Sequence, residues 1–373
     1  MISPCTRGMP TSILLPVPPT LPFSVRVKPL SVLASSSNPA IAYFARRDLL
    51  GERRGPVSDL WDLREPLRIV RRQTPTGSWS YPGGNRSLRS PENYDQIETF
   101  RQLAILVEKY GFTREHPAIS RAAEFLLSFQ TREGDIRGIY GNQYATTYVG
   151  AITELLVKAG YADDPRIATT FSWLVGIRQS DGGWAIPMRT LGHRYPDFLD
   201  VEHHPEPLAP DRSKPFSHLV TGMVLRAFAA DPAWLGTAEV RDAANLLASR
   251  LFKRDPYDDR GDPSYWERVS FPFWFTDVVS ALDTLSRLGV SPRSVPIASA
   301  LQRLSELQHD DGTFALKLLR AKDKDLPWWI SLALYRSLQR WRLRLPEQAS
   351  GGYVGSWPNA SPLSTQTGRA SAT

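Results

Sequence analysis

Asp277 follows the run Phe271-Pro272-Phe273-Trp274-Phe275-Thr276, which leaves its carboxyl almost without polar company. A carboxyl set in an apolar wall ionises reluctantly, so its pKa rises and it can serve as a general acid near neutral pH. The same position suits a quieter role, because Asp is favoured as the capping residue at a helix N-terminus. Asp95 and Glu98 occupy comparable places in an earlier segment, and His218 in a third. Together with Asp277 they could line one pocket. Around these positions the sequence gathers Tyr94, Tyr140, Tyr144, Trp266, Phe273, Trp274, Trp328 and Trp329. Aromatic faces stabilise cations through their quadrupole by about 0.5–2 kcal/mol per contact. They also stack on sugars, and they fill ordinary cores. The expected catalytic set is therefore Asp277, Asp95 and Glu98. The expected substrate contacts are the aromatic residues with His218.

The elements that must position these residues come in pairs. Four times a helix-like segment ends in a Gln, a polar turn, a Gly and then an aromatic or aliphatic residue. The copies are Gln73–Trp79, Gln130–Ile136, Gln179–Trp184 and Gln308–Phe314. Such self-similarity means that one supersecondary unit is stacked. The first members of the pairs are 63–72, 119–129, 167–178, 240–252 and 297–307. The first full example has apolar residues at 122, 123, 126, 127 and 129, the face of an amphipathic helix. The second members, 94–110, 144–159, 217–230, 276–288 and 328–341, are apolar on most sides, as helices buried all round must be. Two leading helices are expected over 40–52 and 57–72. The fourth punctuation is degraded over 249–266, where the Gln is lost. Five or six such pairs predict an all-α fold, an α/α toroid with an outer and an inner ring. Closure is preferred to an open solenoid, which would expose the apolar inner helices. The inner helices then begin at one mouth, where their N–H groups favour anions. In the punctuation, the Gln is expected to cap backbone groups, the Gly to permit the turn and the aromatic to pack over the Gln. This is a fastening role rather than a catalytic one.

Charge and cysteine content narrow the function classes. The net charge of +7 lies almost wholly in residues 1–72, which hold 11 Lys/Arg against 5 Asp/Glu. A nucleic-acid footprint needs basic residues on a folded face, so no nucleic acid is expected. With one cysteine, Cys5, no intrachain disulfide can form and thiolate zinc sites are ruled out. The expected location is cytoplasmic. No run of 18 apolar residues occurs, so no transmembrane helix is expected. Residues 1–38 read as a disordered arm, with a targeting segment as the alternative. Residues 39–345 read as the toroid and 346–373 as a disordered tail rich in Ser, Gly, Thr and Ala. The insertion over 189–215 holds His193, His203, His204 and several carboxylates, but their spacing follows no ligand pattern. Its five prolines indicate a rigid cover loop, and a loop of this length tends to be functional. No metal and no cofactor are expected.

The punctuation resembles the QW-type repeat of the squalene–hopene cyclase and protein prenyltransferase β-subunit superfamily. The best copies are Phe171–Trp184 and Phe125–Gly134. The resemblance spans about residues 63–341 and implies an α/α toroid. It also implies chemistry on isoprenoid substrates. The cyclase acid string Asp-x-Asp-Asp is not found; the nearest sequences are Asp255-Pro-Tyr-Asp258-Asp259 and Asp323-Lys-Asp325. The prenyltransferase zinc set of Asp, Cys and His cannot be assembled with Cys5 as the sole thiol.

Three functions compete, because a fold does not fix an activity. The first is an enzyme acting on an isoprenoid or other hydrophobic substrate in a central aromatic cavity. The second is a non-catalytic binding or scaffold protein on the same fold. The third is a carbohydrate-active hydrolase or lyase using paired carboxylates. The expected partner is a small hydrophobic or isoprenoid-type ligand, with peripheral membrane contact as a further option.

Overall fold

The computed structural model describes residues 30–83, 90–194, 205–257, 260–319 and 322–341. The remaining residues, which include 1–29, most of the acidic part of the insertion and the tail from 342, lie outside the described residues. In chain order the helices are α1 (Leu30–Ala34), α2 (Pro39–Phe44), α3 (Arg64–Val70), α4 (Pro91–Tyr110), α5 (Pro117–Leu127), α6 (Thr146–Leu156), α7 (Pro165–Gly176), α8 (Pro187–Thr190), α9 (His218–Ala230), α10 (Ala238–Ser249), α11 (Val278–Arg287), α12 (Val295–Glu306) and α13 (Leu326–Arg340). Two short strands, β1 (Arg268–Val269) and β2 (Lys317–Leu318), pair in parallel. The helix starts are written in the sequence. Ser90, Asp164, Ser217 and Asp277 each accept a backbone N–H as N-cap, and proline opens α4, α5 and α7.

The inner ring is α2, α4, α6, α9, α11 and α13, each packed on the next, and α13 returns to α2 to close it. The expected toroid is therefore observed, with the leading helix 40–52 as its sixth inner member. That helix ends in a π-helical turn, Ala45–Leu49. Helices α3, α5, α7, α10 and α12 form the outer ring. Every residue of α9 except the last is buried, whereas α5 and α7 bury one face. Packing is tightest between α6 and α9. A Cβ on Gly150 would lie 2.8 Å from Val224 Cα, so only glycine lets these backbones approach so closely. At the closure, Asn38 Nδ2 donates to Asp325 at 2.7 Å and Arg336 pairs with Asp48 at 2.5 Å. The folded body begins before residue 39, because α1 packs on α2 and buries Leu33 completely.

The punctuation is a four-residue backbone turn. Thr74, Thr131, Gln179 and His309 each donate a backbone N–H to the carbonyl four residues on, at 2.8–2.9 Å. The turn needs a residue with positive φ, which Gly77, Gly134, Gly182 and Gly312 provide. Gln73 and Gln130 donate at 2.7 Å to the carbonyls of Ala118 and Arg166, in the first turn of the next outer helix. The third copy is shifted by one residue. There Arg178 Nε takes the Gln role, donating to Gly182 at 2.8 Å, while Gln179 holds the carbonyls of Asp211 and Lys214. Trp79 and Trp184 donate their indole N–H to the carbonyl ten residues earlier, Ile69 and Leu174, both at 2.7 Å. Their backbone N–H groups donate to Thr99 and Thr221 of the inner ring. Each Trp thus pins an outer helix to an inner one.

Candidate functional site

Aromatic rings converge where the inner helices begin. Phe100 of α4 meets Trp274, from the loop before α11, at 5.3 Å between centroids. It meets Tyr148 of α6 at 5.7 Å, and Tyr148 meets Tyr140 at the same distance. All three contacts are edge-to-face, the geometry the ring quadrupoles prefer. Trp274, Tyr140 and Tyr148 are half-buried, so they present ring surface at this mouth. Guanidinium groups lie over Trp274 and over the neighbouring rings of Tyr81 and Phe275. Arg101 lies 5.0 Å from the Trp274 centroid and 5.4 Å from that of Tyr81, and Arg260 lies 3.8 Å from that of Phe275. The described end of the insertion is fixed here as well, because Gln143 accepts from Leu208 N–H and donates to the Glu206 carbonyl. The insertion therefore returns beside the loop that carries Tyr140.

Asp277 is the N-cap of α11, and its carboxylate accepts the Ser280 N–H at 2.8 Å. Ser280 Oγ accepts the Asp277 N–H in return at 2.9 Å, completing a capping box. Asp277 is 2% exposed. Burial pushes its pKa up to about 7, against the opposing pull of the Ser280 N–H and of Arg226. The capping role is therefore observed, and burial raises the carboxyl's pKa as its apolar surroundings imply.

The four polar residues do not share a pocket. Asp95 accepts the Tyr81 backbone N–H at 2.8 Å and so shapes the loop before α4. Glu98 bonds Gln102 and Arg101 and lines a different cavity of about 380 Å³ with Glu65, Arg68 and Arg72. His218 is 4% exposed and stacks on Trp266 at 4.5 Å. Its Nδ1 lies 3.1 Å from Asp255 without the alignment of a hydrogen bond. That carboxylate oxygen instead accepts from Ser217 Oγ and Leu219 N–H. Burial, with Arg250 nearby, holds the His218 pKa below its ordinary value despite Asp255, so the imidazole is neutral at pH 7. Placement on corresponding inner helices was the basis for grouping these residues. It fixes their height along the axis but not the direction in which each side chain points.

The predicted aromatic contacts divide in the same way. Tyr140 and Trp274 join the ring cluster. Tyr94 is buried against Tyr81. Tyr144 turns outward to Trp173 of α7 and donates to Glu133 at 2.7 Å. Trp266 is 1% exposed and donates to the Lys253 carbonyl at 3.0 Å, a fastener for the degraded fourth punctuation. Phe273 packs edge-on against Phe271, and Phe271 stacks on Trp329 at 5.2 Å. Trp328 is half-buried at the start of α13. Sequence reasoning missed Phe100, Arg101 and Tyr148. The signal of Phe100 and Arg101 was a position one turn further into α4 than the residues chosen. Among the described residues no group of three or more His, Cys, Asp or Glu could hold a metal. His203 and His204 of the insertion, with its carboxylates Asp197, Asp200 and Glu202, lie outside the described residues. No helix among the described residues is long and apolar enough to cross a membrane.

The titration of Asp277 gives a testable pH dependence. Folded Asp277 keeps its proton to about pH 7, while an ordinary Asp releases it near 3.8. Between these values the folded state binds more protons, so stability falls as pH rises through the window and levels off above it. Going from pH 5 to pH 7 should cost about 2 kcal/mol through this group. Asp277→Asn keeps a good cap and should flatten that slope. Urea unfolding at several pH values checks this, and a slope unchanged in the variant would refute it.

Residues 93–195 match the family model of the squalene-hopene cyclase C-terminal domain. This stretch runs from α4 into the insertion and includes the second and third punctuation copies. No curated protein matches the chain. Among solved structures, the crystal structure of a protein from Actinoplanes aligns at 13% identity with a TM-score of 0.29, covering 77% of this chain and 100% of that one.

Proposed function

We propose that this squalene-cyclase-like toroid binds a small apolar ligand of isoprenoid type at its aromatic mouth, in a cytoplasmic setting. The observation that carries this reading is the convergence of Phe100, Tyr140, Tyr148 and Trp274 from separate parts of the inner ring, with three of the four half-buried. Partly exposed rings held by one another offer preorganised apolar area at little entropic cost. Binding is favoured over carbocation chemistry by a guanidinium. Arg101 already occupies the Trp274 face that a cationic intermediate would need, and like charge would repel it. The carbohydrate reading is weakened because Asp95, Glu98 and Asp277 serve separate local contacts.

A second reading has one specific observation in its favour. Asp277, whose pKa burial raises to about 7, keeps a proton that it can give to a leaving-group oxygen near neutral pH, although it is too weak an acid to protonate an alkene. One experiment addresses both. Squalene, farnesol and farnesyl diphosphate are incubated with the protein, binding is measured, and the mixture is analysed by mass spectrometry. Saturable binding without conversion is expected, and Trp274→Ala should weaken it roughly tenfold, the equivalent of about 1.4 kcal/mol. Product that disappears in Asp277→Asn would establish the second reading. Failure of all three compounds to bind would overturn the first.

A further inference from the structure

The opposite end of the inner ring holds a second cavity, of about 600 Å³, lined by the last turns of the inner helices. Its size is that of a small-molecule site. Arg47, Lys158, Arg287, Arg336 and Arg340 line it together with only two acids, Asp48 and Glu108. Counting also the buried groups behind the lining, the network joins six cations (these five and Arg226) to four carboxylates (Asp48, Glu108, Glu154 and Asp283). A surplus of two positive charges is left around the cavity. Helix C-termini carry about half a negative charge each, so some cations belong there in any case. Here, however, the helix ends are capped by their own backbone, as where Phe112 N–H donates to Leu106 and Val290 N–H to Leu285. The guanidiniums bond chiefly carboxylates, and Arg340 also bonds the Ser286 and Ser337 hydroxyls and the Asp283 carbonyl.

Two further features point to a missing acceptor. Arg336 Nε, in the lining, is buried without a hydrogen-bond partner among the described residues. Burial, with the charge of Arg287, also holds the Arg336 and Arg340 guanidiniums below the ordinary arginine value. A bound anion would offset the cost of holding the Arg336 and Arg340 charges away from water. Phe44, Val107 and Phe112 give the cavity an apolar wall as well.

We propose that this cavity binds a small phosphate-bearing molecule, with its phosphate held by Arg287, Arg336 and Arg340 and its organic part against Phe44, Val107 and Phe112. The cavity shares no lining residue with the aromatic cluster. Guanidinium groups suit phosphate because their planar N–H pairs match its oxygens.

The test is calorimetric titration of the full chain with inorganic diphosphate at fixed ionic strength, with thermal melting in parallel. Saturable binding and a raised melting temperature are expected. Arg287→Gln should weaken binding at least tenfold. Glu108→Gln, which removes an acid from the lining, should strengthen it at least threefold. Arg287 shares Asp283 with Arg340 and its side chain is 36% exposed, so its loss leaves that carboxylate paired. If Arg287→Gln melts early, Arg340→Gln, which leaves Asp283 paired with Arg287, gives the same reading. A second arm uses vesicles containing phosphatidic acid. Tighter binding to vesicles than to diphosphate identifies a lipid headgroup as the source, and the reverse identifies a free phosphate compound; either sustains the proposal. It is overturned if diphosphate gives no saturable binding, if the charge variants leave affinity unchanged, or if chloride at equal ionic strength stabilises equally.

Discussion

Trp184→Ala should destabilise the protein by about 3–5 kcal/mol and lower its melting temperature by roughly 6–15 °C. The side chain is fully buried. It stacks on Phe228 of α9 at 5.6 Å, with Arg178 over its ring at 5.7 Å. Its indole N–H reaches the Leu174 carbonyl of α7, and its backbone N–H reaches Thr221 of α9. Truncation therefore opens a cavity between the two rings and leaves a buried carbonyl unpaired. Trp184→Phe separates these effects. It keeps most of the packing and loses the indole donor, so it should cost only about 1–3 kcal/mol. Thermal and urea unfolding of both variants checks the pair. A Trp184→Ala protein that melts within 2 °C of the parent would show that the punctuation does not fasten the rings.

This fastening was legible because it is local. A Gln, a turn glycine and an aromatic residue at fixed spacing specify a backbone turn and its bonds, and the inner helices announce themselves by being apolar on most sides. The register of the third copy was not legible. Arg178 and Gln179 are neighbours able to make similar bonds, and only the return of the chain near Asp211 decides which one caps Gly182. The candidate site was legible in outline only. Sequence places Asp95, Glu98, His218 and Asp277 near the start of inner helices. The direction of each side chain depends on contacts distant in sequence, such as Tyr81 for Asp95 and Asp255 for His218. The basic cavity had a signal that went unread. Lys158, Arg287, Arg336 and Arg340 each fall near the end of an inner helical segment that is otherwise strongly apolar. A cation at the end of one helix is commonplace, but several become a site only when the ring closes and brings those ends together.

The second large effect lies between the two mouths. Glu154 of α6 accepts from Arg226 of α9 at 2.7 Å and from Lys158 at 2.6 Å, and the Glu154 and Arg226 side chains are 5% and 3% exposed. Removing Glu154 alone strands buried cations, so Glu154→Ala should cost about 3–5 kcal/mol. The double variant Glu154→Leu/Arg226→Met should recover most of that loss, because apolar side chains of similar volume can replace a buried pair. The coupling energy follows from the double-mutant cycle. The pH dependence has a definite sign. Arg226 and Lys158 outweigh burial and hold the Glu154 pKa below its ordinary 4.5, so its contribution is full above that pH and is lost in acid. Glu154→Ala should flatten the acid limb of stability. It should also act at a distance. Arg226 already lowers the Asp277 pKa, and without Glu154 its charge is unopposed by that carboxylate. The window in which stability falls through Asp277 should therefore move to lower pH in Glu154→Ala. If the single variant costs less than 1 kcal/mol, or the Asp277 window stays where it was, then the charges of α6 and α9 do not couple the aromatic mouth to the basic cavity.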